Sequence, residues 1–329
     1  MKDKDLSYDY DTQRDKVKQK KTNQSSVNEK LSIEKKALGR KPEWLRVDIP
    51  SSENYKEVKN NLREKKLWTV CEEASCPNLS ECWSAKTATM MILGGTCTRA
   101  CKFCHVDTGN PKGIVDYREI ENASQMVTTM DLNYLVLTSV DRDDLEDFGA
   151  GHFANIVNKI NKDHKGTLVE VLIPDFDAVD EHMHTLAKSS PFVIAQNIET
   201  VKRLTHQVRD RRAGYEKTLT CLKFYAENYP KIATKTSLML GLGEEHEEIL
   251  QTFRDLKEAG VKILTLGQYL RPTMRHLAVE KYYKPQEFDH YKEIALEMGF
   301  EFVASGPLVR SSYKAADYLE HLKAKGHEI

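Results

Sequence analysis

No run of apolar residues in this chain approaches the roughly 18 that a membrane helix needs, which excludes a helical membrane protein. Charge of one sign is also lacking. Lys and Arg number 49 against 50 Asp and Glu, a formal net charge of -1, so bulk charge gives neither nucleic acid nor an acidic membrane a reason to bind. The first residues lack the apolar centre of a secretory signal. Asp3, Asp5, Asp9 and Asp11 argue against a mitochondrial transit peptide, which avoids acids. The expected compartment is the cytoplasm. Repeats of the solenoid kind are missing too. Cysteine is scarce outside one stretch: of seven, six fall between Cys71 and Cys104. Cytosolic thiols are seldom tied into structural disulfides, so this crowding points to metal.

A length of 329 residues, 40% of them hydrophobic and 30% charged, suits one large α/β barrel or two ordinary domains with a sizeable core. Residues 1–40 are polar and lysine-rich and read as a flexible polar tail, free or partly draped over the body. Residues 41–87 read as an N-terminal extension carrying the first cysteines, with packing beginning near Trp44 and a short helix over 54–65. From residue 88 to about 300, strand-like and helix-like stretches alternate. The strand candidates are 88–93, 134–139, 168–173, 192–196, 236–240 and 263–268, short and apolar and bounded by Gly, Pro, Asp or Asn. Helical periodicity fills the gaps at 119–130, 152–161, 215–229 and 247–258, with Gly260 as a stop. Six strand–helix units imply a parallel sheet with helices outside, open or closed into a partial (β/α)6 barrel of the TIM type. Residues 301–329 form a C-terminal extension.

The sharpest feature is Cys97-Thr98-Arg99-Ala100-Cys101-Lys102-Phe103-Cys104, which follows the first strand candidate through Gly94-Gly95-Thr96. In a parallel barrel the loops at the C-terminal ends of strands carry the chemistry. Three thiolates within eight residues can wrap one soft metal centre. Structural zinc takes four ligands. No fourth Cys completes this set, and His105 is too close to Cys104 to reach the same metal. A cubane iron–sulfur cluster held by three thiolates keeps one iron open to a small molecule. Upstream lies a second triad, Cys71, Cys76 and Cys82, in a stretch broken by Pro77-Asn78. Spacing alone leaves open whether both triads pool into zinc sites. Cys221 stands alone in a helical pattern and reads as a small core residue.

At these residues the chain resembles the radical S-adenosylmethionine (SAM) superfamily, whose Cys-x3-Cys-x2-Cys signature matches Cys97, Cys101 and Cys104. With the upstream Cys-x4-Cys-x5-Cys triad it is similar to the lipoyl synthase family. The likeness runs from about Arg40 to the C-terminus. It includes Thr138-Ser139-Val140-Asp141-Arg142-Asp143-Asp144-Leu145, Asn197-Ile198-Glu199-Thr200-Val201, Leu240-Gly241-Leu242-Gly243-Glu244, Leu266-Gly267-Gln268-Tyr269-Leu270-Arg271-Pro272-Thr273 and Arg310-Ser311-Ser312-Tyr313.

The resemblance implies two [4Fe-4S] clusters. One, on Cys97, Cys101 and Cys104, would bind SAM; the other, auxiliary, would sit on Cys71, Cys76, Cys82 and Ser312. It implies a sulfurtransferase that inserts two sulfur atoms, at C6 and C8, into an octanoyl chain on a lipoyl-domain lysine, with two SAM consumed per lipoyl group. The implied partners are octanoylated lipoyl domains of 2-oxoacid dehydrogenase acyltransferase subunits or the glycine cleavage H protein, a reductant such as flavodoxin or ferredoxin, and an iron–sulfur carrier protein that rebuilds the auxiliary cluster. Ser139, Asp141 and Asn197, at strand ends, are candidates for holding SAM. The 241–244 turn is either a close approach to the cofactor or a tight strand-to-helix turn. Asp141–Asp144 and Glu244 could equally be solvated charge, and Arg271 and Arg310 could contact substrate. Two positions depart from the family pattern: Gln196 replaces the usual His, and Ala278 the usual Pro. Methylthiotransferase-like and biotin synthase-like radical enzymes, and a zinc-stabilised binding protein, are the competing readings.

Overall fold

The computed structural model describes residues 8–34, 41–47, 52–84, 89–313 and 315–326, with side chains undescribed over 23–34. Parts of the expected tail (1–7 and 35–40) and the strand residue Ala88 lie outside the described residues.

Among the described residues there are ten strands: β1 Trp68–Thr69, β2 Thr89–Ile92, β3 Thr96–Cys97, β4 Asp107–Thr108, β5 Tyr134–Ser139, β6 Leu168–Leu172, β7 Val193–Ala195, β8 Ala233–Leu240, β9 Ile263–Gln268 and β10 Phe302–Gly306. Eight form one sheet in the order β1-β2-β5-β6-β7-β8-β9-β10, while β3 and β4 pair separately. From β2 to β10 every pairing is parallel; β1 alone runs antiparallel. β1 and β10 are the two edges, so the barrel stays open. The C-terminal extension therefore contributes a strand to the sheet, β10, where an appendage was expected. Its Phe302 and Val303 register with Ile263 and Leu264 of β9.

The described residues also form twelve α-helices: α1 Tyr10–Glu34, α2 Glu53–Glu64, α3 Val70–Glu73, α4 Leu79–Ser84, α5 Arg118–Met130, α6 Ala150–Asp163, α7 Asp180–Ala187, α8 Thr205–Val208, α9 Tyr215–Asn228, α10 His246–Glu258, α11 Pro285–Glu297 and α12 Asp317–Ala324. Helices α5, α6, α7, α9, α10 and α11 each follow a strand. Their apolar stripes, such as Ile249, Phe253 and Leu256 of α10, are buried with outward strand residues such as Leu238, Leu240, Leu264 and Leu266. Gly260 ends α10 at φ +76, where a Cβ would meet the Cβ of Ala226 at 2.6 Å. The barrel floor is closed by α12, whose Tyr318 joins Val193, Ala233 and Ile263.

The segment expected as a flexible polar tail is, over its described part, the helix α1. Tyr10, Arg14 and Val17 fall four and then three residues apart, on one helical face, and all three are buried. The Tyr10 hydroxyl donates to the Leu67 carbonyl at 3.1 Å and its ring meets Trp68 edge-on at 5.2 Å. Arg14 pairs with Glu72 at 3.3 Å, Lys20 with Asp107 at 2.8 Å and Lys21 with Glu73 at 2.7 Å. A stripe this thin, in so polar a segment, gave no apolar periodicity to detect.

Candidate functional site

The loop of Cys97, Cys101 and Cys104 leaves the C-terminal end of β2 and is held from several sides. Thr98 N–H donates to the Asp141 carbonyl at 3.0 Å, beyond β5, and Lys102 N–H to the Val208 carbonyl at 2.8 Å, at the end of α8. His276 Nε2 is 3.0 Å from the Cys104 carbonyl. Arg99, inside the signature, is buried among three carboxylates: Asp175 at 2.7 Å, Asp143 at 2.8 Å and Asp141 at 3.3 Å. Asp141 follows β5 and Asp175 follows β6, so one guanidinium pins the cysteine loop to two strand ends. A single buried Arg among carboxylates is sustained by multidentate hydrogen bonding.

Each thiol of this loop receives a backbone N–H: Cys97 from Arg99 at 3.4 Å, Cys101 from Asp210 at 3.2 Å, and Cys104 from Val106. Burial pushes the Cys101 thiol up to about 12 and the Cys104 thiol up to about 11, so as free thiols they stay neutral. Burial likewise raises Cys97, and the nearby Asp141 adds to the effect. Soft thiol donors met by peptide N–H groups suit an iron–sulfur cluster, whose sulfurs accept such bonds.

The second triad is built on α3, the turn after it, and α4. Cys76 N–H returns to the Cys71 carbonyl at 2.9 Å, and Cys82 N–H reaches the Asn78 carbonyl at 2.9 Å, so the chain folds back over about three helical turns. The Cys71 thiol accepts from the Thr89 backbone and the Cys76 thiol from Asn78. Burial raises Cys71 and Cys82 to about 12, and the three thiols lie close enough to affect one another's ionisation. The Arg310–Tyr313 segment comes to this triad from the far end of the chain. Thr89 Oγ1 donates to Ser312 Oγ at 2.9 Å, Asn78 Nδ2 to the Leu308 carbonyl at 2.6 Å, and Tyr313 to Glu81 Oε1 at 2.8 Å. Thr89 thus touches both Cys71 and Ser312. Among the described residues no three His, Cys, Asp or Glu side chains converge to hold a single metal ion.

The strand-end residues fall as follows. Ser139 Oγ and Asn197 Oδ1 are buried without hydrogen-bond partners, orphaned polar atoms of the kind a polar ligand satisfies. Asp141 lies 3.7 Å from the Cys97 thiol, and burial raises its pKa to about 6 with Arg99 pulling the other way. Sequence reasoning did not single out Glu199, which holds φ +67, accepts from Asn197 Nδ2 at 3.0 Å and is close enough for its charge to act on the Cys104 thiol. A non-glycine residue in the left-handed region at such a place is a strain signal invisible in sequence.

The remaining residues singled out from the sequence take these places. Arg271 turns onto its own loop, donating to the carbonyls of Thr273 at 3.1 Å and His276 at 2.9 Å. The 241–244 segment is a tight turn closed by Glu244, which accepts from the N–H groups of Gly241 and Leu242. A Cβ at Gly241 would lie 2.6 Å from the Lys281 carbonyl oxygen. Asp141–Asp144 is no solvated run: Arg142 is 1% exposed. Gln196, 2% exposed, directly follows β7 and lies beside Cys221 of α9. Cys221 is buried in the core as a small residue, 3.4 Å from the Asp175 carbonyl.

Known proteins resemble this chain over most of its length. The radical SAM superfamily profile matches residues 91–267, and the N-terminal domain of lipoyl synthase matches residues 9–76. Lipoyl synthase of Marinobacter nauticus is 57% identical over 86% of this chain and 82% of its own length. That of Francisella tularensis subsp. novicida is 55% identical over 84% of each chain. Among solved structures, Streptococcus suis SuiB bound to its precursor peptide SuiA shares the fold, with a TM-score of 0.50 and 10% identity over 88% of this chain and 61% of that one. A loop of three cysteines at the mouth of an open parallel barrel, a second triad beside it, and relatives that share more than half their residues across most of both chains have one common reading: the chain belongs to the lipoyl synthase family of the radical SAM superfamily.

Proposed function

We propose that this chain inserts two sulfur atoms, at C6 and C8, into an octanoyl chain carried by a lipoyl-domain lysine, with Cys97, Cys101 and Cys104 holding a SAM-binding [4Fe-4S] cluster and Cys71, Cys76, Cys82 and Ser312 holding an auxiliary one. The observation that carries this reading is the meeting of Ser312 with the 71–76–82 loop through Thr89.

The chemistry these groups would supply, when bound, is one-electron cleavage of SAM to methionine and a 5′-deoxyadenosyl radical that removes hydrogen from unactivated carbon, and sulfide that joins the carbon radical while iron of the auxiliary cluster takes up the electron released. The chain's own residues provide the frame. Arg99 fixes the first loop against Asp141, Asp143 and Asp175. Ser139 and Asn197 offer unpartnered polar atoms to SAM. Asp141 and Glu199 set negative charge beside the same loop, suited to the SAM ammonium group. Thr89 orients Ser312, whose oxygen would be a harder ligand to iron than thiolate. An auxiliary cluster that supplied both sulfurs would need an iron–sulfur carrier protein to restore it, and the first cluster would need a flavodoxin- or ferredoxin-like reductant. Two SAM are spent per lipoyl group. The substrates are lipoyl domains of 2-oxoacid dehydrogenases or the glycine cleavage H protein, met in the cytoplasm; no described helix is long and apolar enough to cross a membrane.

The test is anaerobic incubation of the reconstituted protein with an octanoylated lipoyl domain, reductant and SAM, followed by mass spectrometry of the domain. A gain of two sulfur atoms is the expected outcome. Recovery of the unchanged octanoyl domain beside 5′-deoxyadenosine would refute the assignment.

A further inference from the structure

Residues 308–312 are tied to the auxiliary loop at both ends, by Asn78 at Leu308 and by Thr89 at Ser312. Between these ties the chain crosses Gly267 of β9. A Cβ on Gly267 would stand 2.0 Å from the Val309 carbonyl oxygen and 3.2 Å from Arg310 Nη1, so this crossing requires glycine. Arg310 Nη1 also donates to the Val309 carbonyl at 2.6 Å. The guanidinium is therefore fixed by a backbone crossing and an internal hydrogen bond, where a surface arginine would swing freely.

No carboxylate among the described residues pairs with Arg310, and the group whose charge acts on it is the Cys76 thiol. A half-buried guanidinium fixed in this way, with no carboxylate beside it, suits a negative group on its auxiliary-loop side. Three thiolates and an alkoxide on a doubly positive [4Fe-4S] core leave a net charge of about minus two.

We propose that Arg310 is a positioning residue that serves as the fixed countercharge of the auxiliary cluster at its Cys76 corner and raises that cluster's reduction potential. The proposal rests on the auxiliary-cluster assignment above. Cluster potentials respond to net charge and nearby hydrogen bonds, and a cation favours the more negative, reduced form.

The experiment uses the full chain with Cys97→Ala, Cys101→Ala and Cys104→Ala, so that only the auxiliary cluster assembles, and adds Arg310→Gln or Arg310→Lys. Iron is counted after anaerobic reconstitution, and the midpoint potential is read by redox titration with electron paramagnetic resonance. The expected result is about four irons per chain in the background protein, a shift to more negative potential with Gln, and a potential near that of Arg with Lys. Loss of the cluster with Gln but not with Lys also supports a charge role. An unchanged potential with Gln, or equal loss of the cluster with Gln and Lys, overturns the inference alone. A background protein that holds no cluster overturns the auxiliary-cluster assignment beneath it.

Discussion

Glu119 and Arg142 hold opposite sides of one residue, Leu93. Glu119 Oε2 accepts from the Leu93 N–H at 2.8 Å, and Arg142 Nη1 donates to the Leu93 carbonyl at 3.1 Å. Glu119 also takes the Gly94 N–H at 3.2 Å and meets His152 Nε2 at 2.9 Å. Leu93 and Gly94 both hold positive φ, at +67 and +87, as the strand turns into the loop that presents Cys97. Two buried charges from α5 and the segment after β5 thus set the direction in which the cysteine loop leaves the sheet.

Arg142→Ala leaves Asp144 and the carbonyls of Leu93 and Ile114 without their partner. Breaking a buried charge network from one side costs about 3–5 kcal/mol. Urea unfolding of the variant is expected to show a loss of that size.

Deep in the barrel, Lys235 and Glu170 form a buried pair at 2.6 Å, and Tyr134 donates to the same carboxylate at 2.7 Å. Glu170→Ala alone is expected to destabilise the fold by about 3–5 kcal/mol, because the ammonium is left uncompensated. The double replacement Glu170→Leu with Lys235→Met removes both charges, and its unfolding free energy should lie closer to that of the parent than the single variant's.

Gly267→Ala sets a methyl group against the Val309 carbonyl oxygen, 2.0 Å away, and so displaces the strand of chain that delivers Ser312. The loop of Cys97, Cys101 and Cys104 makes no use of that crossing. Iron after anaerobic reconstitution is expected to fall from about eight to about four per chain, with SAM cleavage kept.

Much of this architecture was readable from sequence because its signals are local. The strands at 134–139 and 263–268 match β5 and β9 to the residue, since short apolar runs bounded by polar breakers have few other uses. The cysteine triads stood out by spacing. What stayed hidden depends on long-range partners. The polar helix α1 is held by three buried side chains and ion pairs to Glu72, Glu73 and Asp107. The strand β10 takes its place by pairing with β9 at the sheet edge. Arg142 and Glu244 read as surface charge because nothing in a single sequence tells that their partners are backbone groups. Glu199 went unselected for the same reason: its positive φ and its closeness to Cys104 are properties of the folded chain.

The account turns on a division of labour between the two triads, which Cys101→Ala and Cys76→Ala separate. Each variant, reconstituted without oxygen, is incubated with an octanoylated lipoyl domain, reductant and SAM, and both 5′-deoxyadenosine and the domain's mass are measured. Cys101→Ala should form neither 5′-deoxyadenosine nor sulfur-bearing product. Cys76→Ala should still release 5′-deoxyadenosine while the domain gains no sulfur. Lipoyl product formed by Cys76→Ala at the parent's rate would contradict the account.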